Sequence, residues 1–218
     1  MKKLKITLEI LAPIEVPKFP IHLDGLLFWS IIDHSEFSES QAIDYLDTIL
    51  DKENGIYKTS ALIYTRSLKH PLTACETNHP TTVNWNEFSL PLSKKVGTIV
   101  TKTGYYRKKM TSRNALSVAF VEFYAVGDAN KIRHLLELAG FIGLSNKQGY
   151  GEIGEIIIEE IENDYSFFLE DGSIARNLPV SMLPEGYQGL KQQLPLKPPY
   201  RSAERHLAAL PEFTVITY

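Results

Sequence analysis

The sequence predicts an α+β fold, and three observations carry that prediction. Apolar residues alternate with a period of two in some segments and recur at helical spacing in others. The segments follow the order strand, helix, strand, strand, helix, strand, a split βαβ pattern. A long insertion, residues 69–114, separates two of the strand-like runs, and such an insertion in a small domain is more often functional than idle.

Lys3 to Leu11 (KLKITLEIL) places Leu4, Ile6, Leu8 and Ile10 on one face, the pattern of a half-buried strand. The charged start imitates a signal peptide, but Glu9 interrupts the apolar run and Pro13 ends it, so a strand is the better reading. Beyond Pro13, Pro17 and Pro20, HLDGLLFWSII carries Leu23, Leu26, Leu27, Phe28, Trp29, Ile31 and Ile32, a helix apolar around most of its circumference. A second helix is expected from Glu39 to Leu50. Ser38 and Gln41 have capping-box spacing before it, and Gly55 lies beyond its end. Thr59–Leu68 and Ala115–Val126 read as the next two strands. Asp128 then caps the helix DANKIRHLLELAG, which Gly140 terminates, and EIIIEEIE (155–162) reads as a strand. The order strand, helix, strand, strand, helix, strand is the ferredoxin-like (split βαβ, RRM-like) arrangement, with an extra helix and a long basic insertion between the central strands. The expected organisation is a ferredoxin-like domain over residues 1–162, including the insertion 69–114. Residues 163–218 are expected to form a C-terminal β extension packed on the same core, with a hairpin at FFLEDGSIA and a last strand at FTVITY.

The chain has 218 residues, 44% of them hydrophobic, enough to bury a core. Its net charge of −3, taken alone, argues against a nucleic-acid partner. The distribution reverses that impression. Between Phe88 and Val121 there are seven basic residues, Lys94, Lys95, Lys102, Arg107, Lys108, Lys109 and Arg113, and no Asp or Glu. Acidic stretches from Asp24 to Glu53 and from Glu152 to Asp171 mask this polarity in the total. A single cysteine, Cys75, excludes an internal disulfide and fits a reducing compartment. No run reaches the roughly 18 apolar residues of a membrane span, so a cytoplasmic protein without a membrane partner is expected.

Gly149, Gly151 and Gly154 spell G-x-G-x-x-G, but a dinucleotide fingerprint needs a strand before it and a helix after it, and here the order is inverted. What remains is a helix-to-strand loop in which Gly143, Gly149 and Gly151 permit positive φ. Ser145, Asn146, Lys147, Gln148 and Tyr150 accompany them as candidate RNA contacts, a surface on which phosphates can be cradled. The plain alternative is a set of glycines that only lets the chain turn. In the insertion, KTGYYRKKMTSR supplies Lys102, Arg107, Lys108, Lys109 and Arg113 for phosphates and Tyr105 and Tyr106 as stacking faces, the combination by which single-stranded RNA is recognised. The plain alternative here is a solvated basic hairpin. Cys75 with His70 and His79 matches no common zinc pattern, so no metal or cofactor is expected. His22, just ahead of the first helix, is the candidate general acid or base if the chain cleaves RNA, with Tyr105 as its companion.

Taken together, HLDGLLFWSII, KTSALIY, GYYRKKM, FYAVGDANKIRHLL, IGLSNKQGYGEI and KPPYRSAE, in that order, resemble the repeat-associated RNA-binding (RAMP) superfamily of CRISPR-associated proteins. The nearest likeness is to the type IV effector-complex subunit that caps the 5′ end of the guide RNA (crRNA). That resemblance implies a non-catalytic protein that grips the guide's 5′ handle, with the basic insertion as a thumb against the neighbouring backbone subunit. It also implies a large subunit nearby and target DNA paired to the guide. Glu152 and Glu155 beside the glycine loop, and its single Lys147, depart from the more basic loops of such relatives and shift phosphate attraction to the insertion. Two other readings stay open: a metal-independent endoribonuclease processing precursor guide RNA, and a ferredoxin-like protein interaction module without an RNA role.

Overall fold

The computed structural model describes residues 1–81, 109–212 and 214–217. Along the chain come β1 (Lys2–Ile10), α1 (Leu23–His34), α2 (Glu39–Asp47), the short pair β2 (Lys52–Glu53) and β3 (Ile56–Tyr57), and β4 (Ile63–Arg66). Then follow β5 (Thr73–Thr81), β6 (Lys109–Ser117), β7 (Phe120–Gly127), α3 (Ala129–Ala139) and β8 (Ile153–Glu160). The C-terminal part holds β9 (Leu178–Pro179), β10 (Lys191–Pro195), β11 (Arg205–Ala209) and β12 (Val215–Thr217). Among the described residues the fold is α+β: a mixed five-stranded sheet in the order β12-β4-β7-β1-β8, accompanied by three α-helices. β1 runs antiparallel to both β7 and β8, β4 is antiparallel to β7, and β12 joins β4 in parallel.

The core follows from the alternation in β1. Leu4, Ile6 and Leu8 are fully buried and lie in one apolar cluster with Val121, Phe123 and Ala125 of β7, Leu23, Leu27 and Phe28 of α1, and Ile132, Leu135 and Leu136 of α3. Burying each large apolar side chain of this kind contributes about 1.5–3 kcal/mol. On the opposite face of the sheet, Lys5 pairs with Glu122 at 2.9 Å. The helices are capped as their sequences demand. Ser38 and Gln41 form a reciprocal capping box on α2. The Asp128 carboxylate accepts from Asn130 and Lys131, and Gly140 ends α3 in the left-handed conformation at φ 63°.

The boundaries differ from the sequence reading in instructive places. Ala115–Val126 is not one strand: β6 ends at Ser117 and pairs with β5, whereas β7 begins at Phe120 and enters the central sheet. Ala115, Val118 and Val121 are all buried, so the apolar run continues across the break and does not reveal it. Of Thr59–Leu68 only Ile63–Arg66 is regular strand; Thr59 and Ala61 make isolated bridges to Ala125 and His22. The helix expected to reach Leu50 stops at Asp47, with Thr48 turning back onto Tyr45 and Leu46. The strand expected at 155–162 begins two residues earlier, at Ile153, and ends at Glu160.

After Asn163 the chain forms a turn that bridges Phe168 to Ile174 and a three-stranded sheet ordered β10-β11-β9. These close over a second apolar cluster of Ile56, Phe167, Ile174, Leu178 and Ala209. No helix among the described residues is long and apolar enough to cross a membrane.

Candidate functional site

The glycine-rich loop leaves α3 at Gly140 and lies against the segment Pro13–Glu15. Leu144 N–H donates to the Glu15 carbonyl at 2.9 Å and Gly151 N–H to the Pro13 carbonyl at 2.9 Å. Two glycines are dictated by this approach. A Cβ on Gly143 (φ +92°) would stand 2.8 Å from the Glu15 carbonyl oxygen, and one on Gly151 (φ +67°) would stand 1.8 Å from that of Ile142. Gly149, by contrast, has open space around it.

The packing narrows what the loop offers a ligand. Leu144, Gln148, Gly149 and Gly151 already spend their N–H groups on carbonyls within the protein, so these four do not form a phosphate cradle. Tyr150, one of the candidate RNA contacts, is 4% exposed, with its side chain packed within the protein. Gly151 is buried as well. The exposed tip consists of Asn146, Lys147, Gln148 and Gly149.

Arg113, midway along β6, links this loop to the base of the insertion. Its Nη1 donates to both carboxylate oxygens of Glu15, at 3.0 and 2.8 Å, and to Ser145 Oγ at 2.6 Å. The β5–β6 ladder runs unbroken from Thr73↔Ser117 to Thr81↔Lys109, so the acid-free segment springs from a hairpin seated beside the glycine loop. Arg113 itself is correspondingly less available: its charge is already paired and its side chain only 21% exposed. Lys102, Tyr105, Tyr106, Arg107 and Lys108 lie outside the described residues, and Lys109 is described in its backbone alone.

A second constellation escapes the sequence reading. Arg176, fully buried, uses Nη1 on the Tyr57 carbonyl and on the carbonyl and hydroxyl of Thr59. Its Nη2 reaches Asp24 Oδ2 at 3.2 Å, the Leu196 carbonyl at 2.8 Å and the Tyr200 hydroxyl at 3.0 Å. Tyr200 in turn donates to the Asp24 carboxylate at 2.9 Å. Gly25 makes room for the Tyr200 ring, since a Cβ there would meet Cε2 at 3.0 Å. Burial opposes the charge on Arg176, but Asp24 and Tyr200 outweigh it and the guanidinium titrates above its ordinary range. Burial and the Asp24 charge push the Tyr200 hydroxyl well above its usual range. One signal for this knot is present in the sequence: Arg176 stands in the apolar run SIARNLPV, where a lone cation has to be buried with its partners.

His22, the candidate acid or base, belongs to this knot. Its ring stacks on Tyr200 with centroids 5.1 Å apart and planes 20° off parallel, and the residue is 4% exposed. Burial, and then the Arg176 charge, hold its pKa well below the ordinary imidazole value, against the opposing influence of nearby Asn177. At neutral pH it is therefore an uncharged ring in a largely desolvated place. Neither His70 nor Cys75 sits in a metal-like group: among the described residues no three His, Cys, Asp or Glu side chains gather so as to hold an ion.

Comparison with known families gives a match over residues 2–211, to the model described as CRISPR type IV associated protein Csf3. No curated protein matches the chain. With nearly the whole sequence covered, from the first strand through the Arg176 knot to β11, the chain belongs to the Csf3 family of CRISPR type IV associated proteins.

Proposed function

We propose that this protein is the guide-RNA-binding subunit of a type IV CRISPR effector complex, acting in defence against foreign DNA. It holds the 5′ handle of the guide, contacts the adjacent backbone subunit through the basic insertion, and performs no cleavage itself. The large subunit and the guide-paired target DNA are reached through the complex. The observation that carries this reading is the Arg113 bridge, which ties the glycine loop at Ser145 to the base of the basic insertion. The sheet supports kinship with the RAMP superfamily. Without β12, its order β4-β7-β1-β8 has every neighbour antiparallel, with a helix-bearing connection between β1 and β4 and another between β7 and β8. That is the strand order expected of a ferredoxin-like domain.

Phosphate binding by the insertion is testable through salt. Replacing Arg107, Lys108 and Lys109 together by Gln should weaken guide binding and lower the slope of log K against log salt by about 0.7 for each phosphate no longer neutralised. A slope that stays the same removes the insertion from the interface. Incubating the protein with repeat RNA in EDTA tests the absence of chemistry: cleavage that disappears in His22→Ala or Tyr105→Phe would overturn the non-catalytic role.

A further inference from the structure

The segment KPPYRSAE (197–204) joins β10 to β11 and carries Lys197 and Arg201, with Arg205 directly after it. All three are exposed. No Asp or Glu occurs between Glu185 and Glu204. Lys2, Lys5, Lys52, Lys58, Arg113 and Arg176 each meet a carboxylate, whereas among the described residues Lys197, Arg201 and Arg205 meet none. Glu204, their nearest acid in sequence, reaches His206 at 4.0 Å instead. Exposed cations left without counter-charge on one connection are the electrostatic footprint of a polyanion. We infer that this connection is a second phosphate-binding surface for the guide RNA, an inference that rests on the RNA-binding reading above.

The fold holds this connection in one place. Tyr200, in its middle, donates to Asp24 and stacks on His22, and Arg176 Nη2 holds the Leu196 carbonyl at 2.8 Å. The turn also closes on itself, because the N–H groups of Ser202 and Ala203 donate to the Pro199 carbonyl at 3.1 and 2.9 Å. A buried ion pair gains little over apolar packing, so what the Arg176 knot contributes to these cations is position. Cations on an ordered connection lose less freedom on binding than cations on a loose one. Continuity with the glycine loop says which polyanion they meet. Residues 13–21 hold that loop at one end, through the Pro13 and Glu15 carbonyls. At the other end Phe19 and Pro20 line a small cavity together with Tyr200 and Arg205. Exposed Lys18 lies between the two ends and meets no carboxylate among the described residues. The four-residue step from Glu15 to Phe19 spans at most about 14 Å, short enough for one RNA strand to touch both.

The test is the salt dependence of guide-RNA binding by the full-length protein. Lys197, Arg201 and Arg205 are replaced together by Gln, exposed changes that leave the knot intact. At about 0.7 per phosphate for a single strand, the slope of log K against log salt should fall by about 2, and affinity roughly fiftyfold in ~0.15 M salt. A control variant with Lys2, Lys3 and Lys131 replaced by Gln makes the same change in net charge at the opposite end of the sheet, where Lys2 pairs with Gly127 just before α3. It should leave the slope unchanged. Equal losses in the two variants would mean that net charge alone acts, and the inference would fall. It also falls if the first variant keeps the wild-type slope while the Arg107, Lys108 and Lys109 variant lowers it, an outcome that leaves the RNA-binding reading standing. Weakened binding of target DNA with guide binding intact would assign the connection to DNA and overturn the inference in the same way. If the wild-type protein binds no guide RNA, both fall.

Discussion

Arg113 and Arg176 carry the same charge, meet the same kind of carboxylate, and do different work. Arg113 sits where the loop and the hairpin meet, partly open to solvent, and its pairing with Glu15 and Ser145 aligns two surface segments. Arg176 has no solvent contact and makes bonds to Tyr57, Thr59, Leu196, Asp24 and Tyr200 that draw the C-terminal extension onto the start of α1. Desolvation, not the number of charges, thus decides which arginine holds the fold and which only aligns two surface segments. A buried charge depends on its partners, because without them it has no water to turn to.

Disrupting the buried arginine should have the greatest consequence. Arg176→Met leaves the Asp24 carboxylate buried without its counter-charge and should cost about 3–5 kcal/mol in urea unfolding. Asp24→Leu combined with Arg176→Met should recover much of that stability, and a double variant no better than the single one would deny that the ion pair is the cause. Next comes the loop beside Arg113. Gly151→Ala drives a Cβ into the Ile142 carbonyl and should cost more than the roughly 1–2 kcal/mol of left-handed strain that Gly149→Ala incurs in open space. Equal losses would mean that the close approach does not matter.

The buried knot also sets a pH dependence of stability. His22 has a folded pKa below its unfolded value near 6.5, so below that pH the unfolded chain binds the extra proton and stability falls as pH falls. The loss from this one group is at most about 1.4 kcal/mol per pH unit, and it stops once pH drops below the folded pKa. His22→Phe should flatten the stability profile on the acid side of 6.5, as followed by urea midpoints. The mildest change belongs to the partly exposed arginine. Arg113→Gln should cost under about 1 kcal/mol, and the cost should shrink at high salt, because an ion pair in partial contact with water is screened.

Much of the architecture is legible from short stretches. Leu4, Ile6, Leu8 and Ile10 declare β1 by alternation, and Ser38, Gln41, Asp128 and Gly140 declare the helix ends by hydrogen bonds that close within a few residues. The break at Val118 and Ala119 is invisible because two strands of different sheets follow one another with buried apolar residues on both sides of it. The candidate site is half legible. Gly143 and Gly151 are close-approach positions, as their residue type suggests, but nothing local to Gly149–Gly151 tells that the Tyr150 ring is withdrawn from solvent.

Local chemistry, readable in the sequence without coordinates, governs where periodicity makes strands and helices, where caps end them, and where acids are excluded between Phe88 and Val121. That Arg113 meets Ser145, that Arg176 meets Asp24 across 152 positions, and that His22 lies on Tyr200 are decisions of the tertiary structure alone. The physical reason is that a charge or a ring acquires its role from the water it gives up and the partners that replace it. Both are supplied by residues far away in the chain, which no local pattern records.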